Sequence, residues 1–197
     1  MAKTMSGQKP VKPSADGLLA SARAIKSKGP APVHLWNPPF NGDIDMRIAR
    51  DGTWFYQGTP INRPAMVRLF SSILKREEDR FYLVTPVEKV GIRVDDAPFV
   101  AVDVEVAGQG RKQVLTFTTH VGDSAVAGEG NPIRMAQDPA TGEPAPYVHV
   151  RAGLEALIDR KSFYRLMDLG EIEDGWFGLW SSGSFFPLMT VEELERG

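Results

Sequence analysis

The residues best suited to chemistry in this sequence are two arginines, each set just ahead of an amphipathic segment. Tyr147, His149 and Arg151 alternate with Val148 and Val150, so a strand there presents one polar face that runs into the first turn of a helix expected from residue 151 onward. Thr59, Ile61 and Arg63 take comparable places before a helix opened by Asn62 to Pro64. A helix start offers unpaired backbone N–H groups and partial positive charge, and an arginine adds a forked donor that fits phosphate or carboxylate. Two such starts brought side by side would make an anion pocket. The competing reading is that each arginine pairs with a nearby acid such as Asp45 or Glu155.

Other chemistries find less support. His34, His120 and His149 lie far apart and in no ligand spacing, and the chain has no cysteine, so thiolate metal sites, disulfides and cysteine nucleophiles are excluded. Ser72 and Lys75 satisfy the Ser-x-x-Lys pattern of acyl-serine enzymes, but near the end of a helical segment and without the companion Ser-Asp-Asn or Lys-Thr-Gly motifs. Gly128-Glu129-Gly130 lacks the third glycine and the preceding strand of a dinucleotide fingerprint. The carboxylate pairs Asp43/Asp45, Asp95/Asp96 and Glu192/Glu193 read as surface charge and turn chemistry; Asp95 and Asp96 converge only if they sit in a turn before Pro98.

The elements that must position these groups are short. Residues 1–16 read as a flexible tail, and Ser14 or Asp16 caps a helix carrying Leu18, Ala22 and Ile25 that stops at Gly29-Pro30. Residues 44–57 form a hairpin turning at Asp51-Gly52. The helix after Pro64 buries Met66, Leu69, Phe70, Ile73 and Leu74, with Arg68, Lys75 and Arg76 on its other face. Strands follow at 81–85 and 92–94, then a hairpin over 99–106 and 113–119, a loop at 120–131, and a last hairpin rich in Trp and Phe from Trp176 to Leu188. Laid on itself at an offset of 87, Arg47 to Asp51 matches Arg134 to Asp138. With small shifts, Arg63, Met66, Leu69 and Phe70 match Arg151, Leu154, Leu157 and Ile158, and Phe81-Tyr82 matches Phe163-Tyr164. This predicts a duplicated unit in the order hairpin, arginine, helix, aromatic strand, against the alternative of chance agreement between two amphipathic segments.

Composition bounds the function. The 197 residues include 19 glycines and 15 prolines, as expected of many turns and short elements. Residues 1–28 hold six Lys/Arg and one acid, while the remainder holds 17 bases and 24 acids. A body that acidic repels polyanions, so no DNA or RNA polymer is expected as partner. No apolar run reaches membrane-spanning length and no signal peptide follows the first lysines, which predicts a cytoplasmic protein without membrane attachment.

Several blocks resemble a bacterial family catalogued as domain of unknown function 1285. They are Trp36, Gly42 to Met46, Asp51-Gly52, Trp54, Gly58, Pro60-Ile61, Arg63 and Leu69-Phe70; then Tyr82 to Lys89 and Val94 to Phe99; and finally Trp180-Ser181, Gly183 and Phe185 to Leu188. The resemblance implies an α+β fold of two tandem β-rich domains, the C-terminal one superficially like a pleckstrin-homology domain, with a ligand site between them. It also implies a nucleotide-like ligand, a role in signal transduction or stress response, and no established reaction. Carried over position by position, Thr85, Glu88, Lys89, Asp95, Asp96 and Arg63 face that interface, with Lys89 the best phosphate partner.

The resulting expectation is an N-terminal domain over 17–95 and a C-terminal domain over 96–197. Together they form a non-enzymatic sensor or adaptor that needs no cofactor and binds a small anionic, nucleotide-like ligand at the interdomain cleft. Arg63, Arg151 and Lys89 hold the anion, Tyr147 or Trp180 stacks on a ring, and His149 lies beside them. The alternatives are a protein-interaction module that holds a signalling partner on the C-terminal domain, and an unrecognised hydrolase.

Overall fold

The computed structural model describes residues 12–196; the first eleven residues of the expected tail lie outside them. Ser14 caps the first helix, α1 (Ala15–Ala24), its hydroxyl accepting from the Gly17 N–H at 3.2 Å, so this helix starts within the span 1–16 expected to be tail. A single 3-10 turn, Val33–Leu35, and half-buried Trp36 lead into the first sheet.

Six strands form that sheet: β1 (Phe40–Ile48), β2 (Trp54–Tyr56), β3 (Thr59–Pro60), β4 (Leu74–Glu77), β5 (Arg80–Val84) and β6 (Lys89–Val94), in the order β3-β2-β1-β6-β5-β4. The helix α2 (Pro64–Ser72) joins its two halves and packs against α1. It is shorter than its apolar spacing predicts. Ile73 ends it, and Leu74 to Glu77 turn into β4, paired with Leu83 to Arg80. Lys75 and Arg76 are therefore strand residues.

The second sheet holds β7 (Phe99–Ala107), β8 (Val114–Thr119), β9 (Ser124–Val126), β10 (Ile133–Gln137), β11 (Pro144–Arg151) and β12 (Leu154–Ile158), in the order β10-β11-β12-β7-β8-β9. β9 lies inside the segment 120–131 expected to be loop. The helix α3 (Arg160–Met167) follows, then a three-stranded sheet, β13 (Glu171–Glu173), β14 (Trp176–Ser181) and β15 (Ser184–Thr190), and α4 (Val191–Arg196).

The two six-stranded sheets repeat one topology. In each, the first and last strands in chain order lie side by side and parallel, β1 with β6 and β7 with β12, and each continues outward into its own antiparallel meander. The repeat thus pairs β1 with β7, not with β10 as the 87-residue offset has it. The element order drawn from that offset fails for a local reason. Ala152 (φ 47°) and Gly153 (φ 77°) close a tight hairpin turn, and Leu154 to Ile158 alternate buried and half-buried, so the segment matched to α2 is a strand. Phe163 and Tyr164, expected in a strand, lie in α3, which Asp159 caps by accepting from the Ser162 N–H at 2.8 Å.

One buried cluster runs through both sheets. Leu18, Ile48, Trp54, Phe70 and Leu83 come from the first domain, and Phe99, Leu115, Phe117 and Leu154 from the second. The two domains therefore share one contiguous buried core.

Candidate functional site

The turn between β1 and β2, residues 49–53, is one place where the domains meet through polar groups. On one side Arg50 pairs with Asp138 of the second domain and lies 3.6 Å from Asp96. On the other, the Gly52 carbonyl accepts from His120 Nε2 at 3.1 Å. The Val100 N–H donates to His120 Nδ1 at 3.2 Å, which leaves the ring proton on Nε2. Burial holds the His120 pKa below its ordinary value, so the ring is neutral at pH 7. Gly52 has φ 87°, and an added Cβ would meet His120 Nε2 at 2.9 Å; both the turn and the histidine require glycine there.

A cavity lies on each side of this turn. The first, about 500 Å³, is bounded by Arg50 and by Asp138, Glu143, Asp159, Arg160 and the α3 aromatics: two arginines against three carboxylates. Its arginines already have partners, Arg50 in Asp138 and Arg160 in Glu143 at 3.2 Å. The second, about 290 Å³, lies at the start of α2 between Thr53, Trp54, Asn62, Pro64 and Arg68 of the first domain and His120 and Val121 of the second, with no carboxylate in its wall.

The α2 start is chemically open. Arg63 is the N-cap residue but its side chain makes no capping hydrogen bond. Its carbonyl accepts from the Met66 and Val67 N–H groups at 3.0 and 3.1 Å, and Pro64 has no N–H. The Ala65 N–H is left without a partner among the described residues. Neither Arg63 nor Arg68 makes an ion pair among the described residues, and both are exposed. Trp54, 1% exposed, forms part of the cavity wall, and its indole N–H is a buried donor without a partner among the described residues.

The expected site residues divide sharply. Arg63 stands at a helix start as expected. Arg151 does not: it ends β11 at the hairpin turn, donates from Nη2 to the Ser71 carbonyl in the last turn of α2 at 2.8 Å, and lies 3.3 Å from Asp123. There it caps the carboxyl end of α2. Burial pulls its pKa below the ordinary arginine value, against the opposing charge of Asp123. The two arginines sit at opposite ends of a nine-residue helix, about 13 Å apart along its axis, and share no pocket.

Tyr147 and Asp96 do meet, at the entry to the second domain. The phenol donates to the Asp96 carboxylate at 2.7 Å, and burial, then that carboxylate, push its pKa up to about 12. Arg134 covers the Tyr147 ring at 4.3 Å, so the face expected to stack a ligand is occupied. His149 accepts the Gly153 N–H at 3.0 Å and closes its own hairpin. Asp95 pairs with Arg47 and Arg93.

The block Thr85 to Lys89 turns inward on its own domain. The Thr85 hydroxyl accepts from the Glu88 N–H at 3.2 Å, and Lys89 is 2.9 Å from Glu77 and 4.9 Å above the Tyr82 ring. Glu88 lines a separate cavity beside Phe40 and the start of α1. Trp180 belongs to β14, its ring flanked by Arg111 at 4.9 Å and Phe185 at 5.2 Å. In the Ser-x-x-Lys pattern, the Ser72 hydroxyl donates to the Leu69 carbonyl at 2.6 Å, and Lys75 lies on β4, 3.0 Å from Glu77. The pair does not form.

Sequence reasoning missed Arg50, Arg68 and Asp138, and it read His120 only as a poor metal ligand. For Arg50 and Asp138 no local signal exists, because each takes its meaning from a partner in the other domain. Arg68 had one: it follows Arg63 and Ala65 on the polar face of a helix whose N-cap side chain cannot accept.

No helix among the described residues is long and apolar enough to cross a membrane. Among curated proteins no relative matches the chain. A crystal structure of a DUF1285 family protein from Shewanella baltica OS155 is similar at 29% identity. The match covers 62% of this chain and 90% of that one, with a TM-score of 0.49. Two family profiles match in tandem. The first is described as "Domain of unknown function (DUF1285), N-terminal domain", over residues 31–97, and the second as "Protein of unknown function (DUF1285), C-terminal domain", over residues 98–188. With both halves present in order and together spanning most of its length, the chain belongs to the DUF1285 family.

Proposed function

We propose that this protein is a non-enzymatic sensor or adaptor of the cytoplasm that holds a small anionic, nucleotide-like ligand in the interdomain cavity at the start of α2. The observation that carries this reading is the contrast between the two cavities that flank the β1–β2 turn. Only the one at α2 is lined by an arginine and no carboxylate. An anion entering the larger cavity would meet three carboxylates and arginines already engaged. At α2 it meets the positive helix end and the Arg68 guanidinium, with Asn62 and His120 in the same wall.

The size of the cavity, about 290 Å³, fits a phosphate or carboxylate group with the rest of the ligand outside it. Neutral His120 and the backbone it holds make one wall, so the ligand would touch both domains and its binding would be read by both. The non-catalytic part of the reading draws on the carboxylates Asp95 and Asp96 and the Ser72 hydroxyl. Each is tied up in structural hydrogen bonds or ion pairs.

The test is thermal stability in the presence of inorganic pyrophosphate, nucleoside mono- to triphosphates and cyclic dinucleotides. A ligand at 100 times its dissociation constant adds about 2.7 kcal/mol to stability. At least one of these anions is expected to raise the melting temperature of the wild type and not of Arg68→Ala. No shift with any of them, or a shift that Arg63→Ala and Arg68→Ala both retain, overturns the proposal.

A further inference from the structure

A groove on the far side of the β1–β2 turn from α2 runs between α3 and the β10–β11 hairpin. The α3 residues Arg160, Phe163, Tyr164 and Met167 recur at helical spacing and face the β10–β11 hairpin across a continuous depression. Pro144, Phe163 and Tyr164 line both of its halves. Toward α4 it becomes an apolar cavity of about 450 Å³, with Met135, Met167, Met189 and Leu194 all half-buried. Tyr164 at the rim is 61% exposed, one of the most exposed large apolar residues in the described chain. Three partly exposed methionines around one hollow make a surface that adapts to an inserted apolar side chain, since the thioether is unbranched and polarizable.

Charge selects the occupant. Across the two halves the groove has four carboxylates, Asp138, Glu143, Asp159 and Glu193, against two arginines; Arg50 pairs with Asp138 and Arg160 with Glu143, so Asp159 and Glu193, one toward each end, carry the excess negative charge. The carboxylates stand at both ends, three by the domain junction and Glu193 on α4, with the apolar floor between them. Along α3, eight residues long, the floor extends about 12 Å, the reach of about four residues of extended chain. We infer that this groove is a docking site for a short segment of a partner protein, with apolar anchors at its centre and basic residues at both ends.

The measurement is fluorescence anisotropy with two labelled peptides that share a Leu/Phe centre, one flanked by Lys and Arg and the other by Glu. The basic peptide is expected to bind the full chain at least tenfold more tightly than the acidic one. Tyr164→Ala, a change at an exposed position, is expected to weaken it at least fivefold. Glu143→Lys, at a side chain 63% exposed, is expected to narrow or reverse the preference. Equal or better binding of the acidic peptide, no binding of either up to about 1 mM, or a preference that Glu143→Lys leaves untouched overturns the inference. Self-association of the chain that Tyr164→Ala abolishes assigns the groove to a second copy and also overturns it. None of these outcomes depends on the anion cavity at α2.

Discussion

Arg63 and Arg151 occupy the two ends of the same helix: Arg63 is the N-cap residue of α2, and Arg151 donates to the Ser71 carbonyl in its last turn at 2.8 Å. The first faces an open, uncapped start, and the second joins the domains by closing the other end. One arginine is therefore available to a ligand and the other is structural. Arg151→Met is expected to destabilise the fold by about 2–4 kcal/mol, because it strands the Asp123 carboxylate and the Ser71 carbonyl at a half-buried contact. Urea denaturation reads this as a lower midpoint with an unchanged slope.

Tyr147 holds its phenol proton well above the ordinary tyrosine range. With its pKa raised to about 12 by burial and the Asp96 carboxylate, it stays protonated where an ordinary phenol has ionised. A group whose folded pKa is raised stabilises the fold fully below its unfolded value near 10, and that contribution is lost as pH rises through about 12. Ultraviolet absorbance between pH 9 and 12 is expected to show a late-ionising tyrosine that Tyr147→Phe removes.

His120 sets a pH window on the acidic side. Its folded pKa is held below the ordinary histidine value of about 6.5 by burial, so the unfolded chain takes up a proton first as pH falls. Stability therefore drops from about pH 7 downward. The depressed carboxylates, Asp51 held by the Thr53 N–H and Glu77 by Lys89, lose their contribution only as pH falls through folded pKa values below the usual carboxylate range. His120→Gln is expected to flatten the melting temperature between pH 7 and 5 and leave the loss below pH 4 in place.

Two glycines separate backbone from side-chain obstruction. A Cβ on Gly178 would lie 2.3 Å from the Phe186 carbonyl oxygen across the β14–β15 pair, whereas one on Gly91 would meet the mobile ends of Asp43 and Arg80 at 1.9 and 3.0 Å. Gly178→Ala is expected to cost about 2 kcal/mol or more and Gly91→Ala under about 1 kcal/mol, measured by chemical denaturation of both variants.

What the sequence disclosed was local. The Asp51-Gly52 hairpin, the Pro64 start of α2 and the strands flanking Gly108 all rest on turn and cap chemistry written within a few residues. The second copy was misplaced because Leu154, Leu157 and Ile158 satisfy helical spacing as well as an alternating strand. The positive-φ turn at Ala152-Gly153, which decides between them, carries an alanine where a pattern reader looks for Asn or Asp. Of the candidate site, Arg63 was legible as a residue before a helix. Arg68, His120 and the empty partnership of Trp54 emerge only once the second domain supplies the opposite wall.

The most direct test of the α2 site is isothermal titration of one anion, pyrophosphate or the best nucleotide from the thermal screen, into the wild type, Arg68→Ala and Arg151→Met. The account predicts at least a tenfold loss of affinity in Arg68→Ala, and wild-type affinity in Arg151→Met despite its lower stability. Loss in Arg151→Met with retention in Arg68→Ala would contradict it.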